Sequence, residues 1–190
     1  LGMLSVARGA TLLYSDGRPI PNLSPEFRFL GQGFLAGIPV PVIIFAIVFV
    51  IAWVVLRFTV YGRWIYAVGG NVRSAKTSGI NTRLVIFSAY LIMGALAGLA
   101  GMILTARTTA ALPQAGLGYE LDAIAAVVIG GTSLTGGVGS VAYTLVGTLI
   151  IGIISNGLDL MGVSSYYQQI IKGSIIVLAV LIDRSRHRNP

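Results

Sequence analysis

Residues 40–56 read VPVIIFAIVFVIAWVVL, an apolar stretch without a charged side chain. The hydrocarbon core of a bilayer is about 30 Å thick, and an α-helix needs roughly 20 apolar residues to cross it. Pro39 and Pro41 lie at the start of the stretch, where proline suits a helix entrance because the first backbone N–H groups have no intrahelical partner. Since the whole segment from Phe29 to Leu56 is uncharged, the stretch predicts a transmembrane helix.

Further apolar segments indicate that the chain crosses the membrane several times. They are Leu84 to Ala106, then Ala123 to Thr135 and Val138 to Leu158 on either side of a glycine cluster, and Val163 to Ile182, which contains Lys172. Residues 1–14 look like the end of another helix, so we expect a fragment that has lost earlier spans. The predicted fold is all-α, a polytopic transmembrane bundle of about five spans plus that helix end, forming one domain over residues 1–190.

The composition excludes several classes of function. Hydrophobic residues make up 55% of the chain and charged residues only 10%, whereas a soluble domain is about one quarter charged. There is no cysteine and a single histidine, His187, which excludes disulfides, thiolate or histidine metal clusters and a Ser-His-Asp triad within this chain. We therefore expect no catalytic residue, no metal and no cofactor.

The distribution of charge predicts the orientation in the membrane. The net charge is +7, with basic residues concentrated in the link 57–83 and in the tail 183–190. This pattern suits the positive-inside rule better than nucleic-acid binding. We expect the link 57–83 and the C-terminus to be cytoplasmic, and the links 15–36 and 105–122 and the region of Asp159 to face outward.

The short segment Ala123 to Thr135 is the least regular of the predicted spans. A cytoplasmic tail requires an odd number of crossings after residue 107, which favours a short crossing over a re-entrant loop. Thirteen helical residues reach only about 20 Å, so protein must shield this segment from lipid. The glycine turn that follows should lie near the cytoplasmic side.

The link itself has the pattern of a short capped helix. Residues 61–81 read YGRWIYAVGGNVRSAKTSGIN. Asn71 is a good N-cap for a two-turn helix from Val72 to Ser78, Gly79 is placed as its stop, and Asn81 is placed to cap the next span. A basic helix on the cytoplasmic face suits docking of a soluble partner; alternatively, its charges only fix the orientation.

Several dense motifs resemble the ribose/xylose-type permeases of bacterial ABC importers. They are GRWIYAVGGN at 62–71, SGIN at 78–81, GYELDAIAAVVIGGTSLTGG at 118–137, NGL at 156–158 and GVSSYY at 162–167. The resemblance runs in order from about Ala7 to Asp183. Many relatives carry Ala-Ala-Arg where this chain has Ser74-Ala75-Lys76, so the basic position is kept as lysine.

The resemblance implies a non-catalytic permease subunit that moves a ribose-like monosaccharide across the inner membrane. It implies a second permease copy, either identical or a close homologue, two cytoplasmic ATP-hydrolysing subunits and a periplasmic sugar-binding protein. By resemblance, the helix at 71–79 seats in the ATPase subunit. The implied coupling residues are Gly69, Gly70, Asn71, Arg73, Ala75, Lys76 and Gly79.

The glycine-rich segment GGTSLTGGVG at 130–139 has two interpretations. It lacks the Gly-Lys-Ser/Thr ending of a phosphate loop, and glycines at membrane depth usually permit close packing or a tight reversal. Its hydroxyl side chains then satisfy freed backbone groups; alternatively, they line the sugar path. The candidate substrate-path residues are Glu120, Asp122, Thr132, Ser133, Asn156 and Lys172.

Two features of the spans remain open. Lys172 is predicted to lie about 13 Å inside the bilayer by helix rise, paired with Glu120, Asp122 or Asp159; alternatively, the helix begins near Tyr166 and the lysine snorkels outward. Glycines at positions 94, 98 and 101 share one helix face, which predicts packing against a neighbouring helix or the second copy.

Three other functions are compatible with a helical membrane protein. A branched-chain amino-acid ABC permease has a related architecture and is distinguished by its binding protein. A structural subunit of a respiratory or secretion complex would need cofactor ligands, which one tail histidine does not supply. A proton- or sodium-coupled carrier would need acidic residues at mid-membrane, but the acidic residues here lie near the ends of the predicted spans.

Overall fold

The computed structural model describes residues 2–164, 166–171, 173–175 and 177. Within this part of the chain the protein is mostly helical. The elements are α1 (Gly2–Ser15), α2 (Pro25–Gln32), β1 (Phe34–Leu35), β2 (Ile38–Pro39), α3 (Val40–Phe58), α4 (Val60–Gly70), α5 (Val72–Thr77), α6 (Thr82–Thr108), α7 (Tyr119–Ile129) and α8 (Val141–Leu160). The all-α, membrane-type fold expected from the sequence is confirmed.

Three helices of the described residues are long and apolar enough to cross a membrane: α3, α6 and α8. They coincide with the predicted spans at 40–56, 84–106 and 138–158. Little of their apolar surface is buried within the chain, as expected for helices that face lipid or other protein segments. Their formation follows from their composition, because a helix satisfies every backbone hydrogen bond internally.

The two remaining predicted spans are only partly matched. Of the predicted segment 123–135 only residues 123–129 are helical; they belong to α7, whose 11 residues begin at Tyr119, end at Ile129 and extend about 16 Å. The described residues 166–171 and 173–175 of the last predicted span are helical. Lys172 and the tail 183–190 lie outside the described residues.

A two-residue β-hairpin precedes α3 and was not predicted. Phe34 pairs with Pro39 and Leu35 with Ile38 in antiparallel register. Ala36 and Gly37 both have positive φ, at 51° and 81°, as a tight two-residue hairpin turn requires. Two residues per strand leave the fold class unchanged.

The described residues form two compact units. The first combines the residues up to Val50 with Tyr90–Leu117. Within it, Ile20 and Ala111 exchange backbone hydrogen bonds of 3.0 and 2.9 Å, and Gln32 Nε2 donates to the carbonyl oxygen of Arg107 at 3.0 Å. The link 15–36 therefore contacts residues 105–117 of the link 105–122, which the charge pattern assigns to the same side of the membrane.

The second unit combines Ile51–Ala89 with the described residues from Gly118 onward. In it α7 and α8 pack as an antiparallel hairpin, with Ala125, Ala126 and Ile151 buried between them. A Cβ at Gly147 would collide with the carbonyl oxygen of Ala126, so the missing side chain lets the two backbones approach closely. This unit also contains the link and the glycine-rich segment.

Candidate functional site

The short helix α5 begins where the sequence predicts. The Asn71 Oδ1 accepts hydrogen bonds from the backbone N–H groups of Arg73 and Ser74, at 3.0 and 3.1 Å. This satisfies two donors that the first turn of a helix leaves free. The Asn71 cap is confirmed, and the same residue also ends α4.

The end of α5 and the start of α6 are also confirmed. Gly79 has φ +83°, the left-handed conformation common after helix ends, and its N–H donates to the carbonyl oxygen of Lys76 at 3.1 Å. Asn81 Oδ1 accepts from the backbone N–H of Leu84 at 3.3 Å and so caps α6. α5 ends at Thr77, one residue before the predicted Ser78.

One face of α5 packs against neighbouring helices and another face is exposed to solvent. Ala75 is 4% exposed and packs in a cluster with Val68 and Val85, against which Ile65 and Ile80 also pack. Arg73 and Lys76 are exposed. Ala75 therefore seats the helix on α4 and α6, while the basic side chains remain accessible.

Helix α4 is held by hydrogen bonds from two tyrosines. The Tyr61 hydroxyl and Ser88 Oγ on α6 are 2.6 Å apart. The Tyr66 hydroxyl donates to the carbonyl oxygen of Gly139 at 3.1 Å. The second bond joins the link to the glycine-rich segment between α7 and α8.

The two glycine pairs meet directly, backbone against backbone. A Cβ at Gly137 would lie 2.6 Å from the Cα of Gly70, and one at Gly69 would lie 2.9 Å from the Gly137 nitrogen. A Cβ at Gly136 would collide with the carbonyl oxygen of Gly69. Real Cβ atoms essentially never approach so closely, so the contact requires glycine at 69, 136 and 137, whereas a Cβ at Gly70 would lie 3.7 Å from the Gly137 Cα, an ordinary contact.

The glycine-rich segment is folded on itself by its hydroxyl groups. The Ser133 Oγ and Thr135 Oγ1 are 2.8 Å apart, and the backbone N–H of Thr135 donates to Ser133 Oγ at 3.3 Å. The Ser133 N–H donates to the carbonyl oxygen of Val138 at 3.0 Å. Ser133 is buried, and its hydroxyl satisfies the backbone as expected for a polar residue in such a turn.

A cavity of about 390 Å³ lies between the link and this segment. Its volume is within the range of about 300–1,000 Å³ that is usual for small-molecule pockets. Its walls are largely apolar, with hydroxyl and backbone groups at a few points. The lining includes Leu56, Ile65, Tyr66, Gly69, Val127, Thr132, Ser133, Val141 and Thr144.

The candidate substrate-path residues are not gathered in one place. Thr132 and Ser133 line the cavity, whereas Glu120 and Asp122 lie in the first turn of α7, at the opposite end of that helix. Asn156 is exposed on α8. Asp159, one predicted partner of Lys172, accepts a hydrogen bond from Gln168 Nε2 at 2.7 Å; Lys172 is outside the described residues.

The predicted glycine face of α6 has no partner contact within the described chain. A Cβ built at Gly94, Gly98 or Gly101 would meet open space there. Packing of this face against another helix or a second copy therefore stays a prediction.

Tyr66 was not among the site residues predicted from the sequence. A signal was present in the spacing. Tyr66, Gly69 and Gly70 are related by i, i+3 and i+4, which places them on one face of a helix. That face is the one that contacts 136–139.

Comparison with known proteins gives matches over nearly the whole chain. The family model described as "Branched-chain amino acid transport system / permease component" matches residues 3–180. The ribose import permease protein of Bacillus subtilis is 52% identical over 188 residues, which is 98% of this chain and 58% of that protein. The D-allose transport system permease protein of Escherichia coli is 45% identical, covering 97% of this chain and 56% of that protein.

A third relative, the xylose transport system permease protein of Haemophilus influenzae, is 48% identical over 80% of this chain and 40% of that protein. The chain thus spans between two fifths and three fifths of the length of these curated relatives. No solved structure matches the chain.

Proposed function

The chain belongs to the permease family described as "Branched-chain amino acid transport system / permease component", and we propose that it forms part of the membrane-spanning subunit of an ABC importer for a monosaccharide. The observation that carries the proposal is α5, a capped helix whose Ala75 is buried in the chain and whose Arg73 and Lys76 are exposed. A rigidly seated, basic helix is suited to transmit force from a soluble partner. The membrane helices are suited to form a passage.

A sugar is the cargo favoured over an amino acid. Three relatives at 45–52% identity are named for the transport of ribose, allose and xylose, which are all neutral polyhydroxylated monosaccharides. The family description names branched-chain amino acids instead, and this makes an amino-acid importer the second candidate. The hydroxyl of Thr132 at the cavity is compatible with a polyol, whereas the buried Ser133 hydroxyl is already bonded to Thr135.

The partners follow from the same proposal. ATP is hydrolysed by separate cytoplasmic subunits that receive α5, and a periplasmic binding protein delivers the sugar to the outer face. A second permease copy, identical or homologous, completes the pore. The permease itself carries out no chemical step, so its part is to change between outward-open and inward-open states.

In the proposed membrane orientation, α5 and the glycine-rich segment lie at the cytoplasmic face. The link 57–83 carries five basic residues and no acidic residue, which favours the cytoplasm. The contact between the link and 136–139 supports the same side for that segment. The chain then leaves the cytoplasmic face through α6 and returns to it through α7, which supports a short crossing at α7.

The test is uptake by a chimaera. The matched segment of the E. coli ribose permease, a relative 50% identical to this chain over 190 residues, is replaced by these 190 residues in cells that lack their own importers for ribose, allose, xylose and leucine. Labelled ribose, allose, xylose and leucine are offered separately. We expect uptake of at least one monosaccharide and none of leucine.

The control is the unaltered E. coli permease in the same cells, with membrane levels of both proteins measured. A chimaera that reaches the membrane at the same level and imports leucine alone would support the amino-acid candidate. One that reaches the membrane and imports none of the four compounds would contradict the proposed function.

A further inference from the structure

We infer that the contact between Gly69-Gly70 and Gly136-Gly137, with the Tyr66–Gly139 hydrogen bond beside it, connects α5 mechanically to the α7–α8 hairpin. Gly136, Gly137 and Tyr66 are then positioning residues for transport, because they pass a movement of α5 on to the α7–α8 hairpin. The inference rests on the proposed function, since it concerns how movement of α5 reaches the membrane helices.

The first step is that α5 and the end of α4 must move together. Asn71 both ends α4 and caps α5, so no flexible residues separate the two helices. Val68 on α4 and Ala75 on α5 are buried in one cluster. A displacement of α5 therefore carries Gly69 and Gly70 with it, because packed interiors deform little.

The second step is that Gly69 and Gly70 cannot move toward residues 136–137 without displacing the backbone of those residues. The backbones are already so close that an added Cβ at Gly137 would lie 2.6 Å from the Gly70 Cα. Movement in the opposite direction is resisted by the hydrogen bond from Tyr66 to Gly139. The contact therefore transmits displacement in both directions.

The third step is that the glycine-rich segment is firmly attached to α7 and α8. A Cβ at Gly130 would lie 2.7 Å from the Cα of Thr144, and the loop is closed by the hydrogen bond from the Ser133 N–H to the Val138 carbonyl. A push on 136–139 therefore moves the α7–α8 hairpin. That hairpin includes the long apolar helix α8, so the displacement reaches a membrane span.

The chain offers a matched pair of variants for the test. Gly137→Ala places a methyl group against Gly70. Gly131→Ala, in the same segment, imposes the same kind of backbone strain, since the two glycines have φ of +76° and +75°. At Gly131, however, the methyl group would meet open space in the described chain. The difference between the variants therefore isolates the contact from the strain.

The measurement is the number of sugar molecules imported per ATP hydrolysed by the complete complex in proteoliposomes. We expect Gly137→Ala to lower this ratio at least ten-fold, while ATP hydrolysis continues and Gly131→Ala stays within two-fold of the native ratio. A merely structural role would reduce transport and hydrolysis together. Equal ratios in the two variants would overturn the inference while leaving the proposed function intact.

A second pair of variants tests the same inference if the Gly137→Ala protein does not accumulate in the membrane. Tyr66→Phe removes only the hydroxyl that bonds Gly139, and Tyr143→Phe removes the hydroxyl of a tyrosine that is 67% exposed on α8. We expect Tyr66→Phe to lower the ratio about five-fold, the factor that one net hydrogen bond of ordinary strength provides. Equal ratios for these two variants would overturn the inference. A native complex that hydrolyses ATP without importing sugar would contradict both the inference and the proposed function.

Discussion

The hydroxyl of Tyr66 donates a hydrogen bond of 3.1 Å to the carbonyl oxygen of Gly139, across 73 positions of sequence. Tyr66 belongs to the link that carries α5, and Gly139 belongs to the turn between α7 and α8. The bond therefore joins the segment proposed to receive the ATPase to a segment that leads into a membrane span.

The cap of α5 should control its stability. Asn71→Ala removes the acceptor for two backbone N–H groups, and loss of such a cap costs about 1 kcal/mol. We expect about five-fold faster hydrogen exchange of the α5 amides in the assembled complex. Asn71→Ser, which retains an N-cap oxygen, should exchange at close to the native rate; equal exchange in both variants would show that the cap does not stabilise α5.

The C-terminal end of α5 requires a residue that adopts the left-handed backbone conformation. Gly79 has φ +83° and its N–H donates to Lys76, whereas proline is fixed near −65° and has no N–H. We expect Gly79→Pro to uncouple transport from ATP hydrolysis. Gly79→Asn, which tolerates positive φ, should keep most of the coupled uptake, and normal coupled uptake by the proline variant would count against the role of this turn.

The α7–α8 hairpin depends on close backbone approach. Gly147→Leu would force a side chain into the Ala126 carbonyl oxygen, and overpacking of this kind typically costs about 1–3 kcal/mol. We expect this variant to be cleaved faster by protease in detergent than Gly152→Leu. Gly152 lies on the same helix, where a Cβ meets open space in the described chain. Equal protease resistance would contradict the packing of the hairpin.

The orientation can be measured directly, because the chain has no cysteine. Single cysteines are introduced as Lys76→Cys, Thr135→Cys and Asp16→Cys, all at exposed positions. A membrane-impermeant maleimide added outside spheroplasts should label Asp16→Cys and leave the other two unlabelled until the membrane is opened. Labelling of Thr135→Cys from outside would contradict the short crossing at α7.

Much of this fold was predictable because it depends on local composition and capping. The run at 40–56 specifies a membrane helix by its length and apolarity, and Asn71 and Gly79 specify the limits of α5 by hydrogen bonding within a few residues. These features need no knowledge of distant segments. The boundary of α7 was less predictable, since apolarity continues into the glycine cluster and does not mark where the helix ends.

The contact between Gly69-Gly70 and Gly136-Gly137 was not predictable in the same way. A glycine pair is equally compatible with a helix break, a turn or close packing, and only the folded chain selects among them. Tyr66 was not predicted for a similar reason, because its hydrogen-bond partner Gly139 lies 73 positions away in the sequence. Ala75 was predicted as a coupling residue, and the structure shows that its side chain is buried against Val68 and Val85.

The most direct test of the central claim is charge reversal on α5. Arg73→Glu with Lys76→Glu is compared with Arg63→Glu with Arg83→Glu, which makes the same charge change in the same link at exposed residues outside α5. Sugar uptake and binding-protein-stimulated ATP hydrolysis are measured at matched membrane levels. The account predicts that reversal on α5 lowers uptake below about one tenth of the native rate while the control pair retains most of it; normal coupled uptake after reversal on α5 would contradict the account.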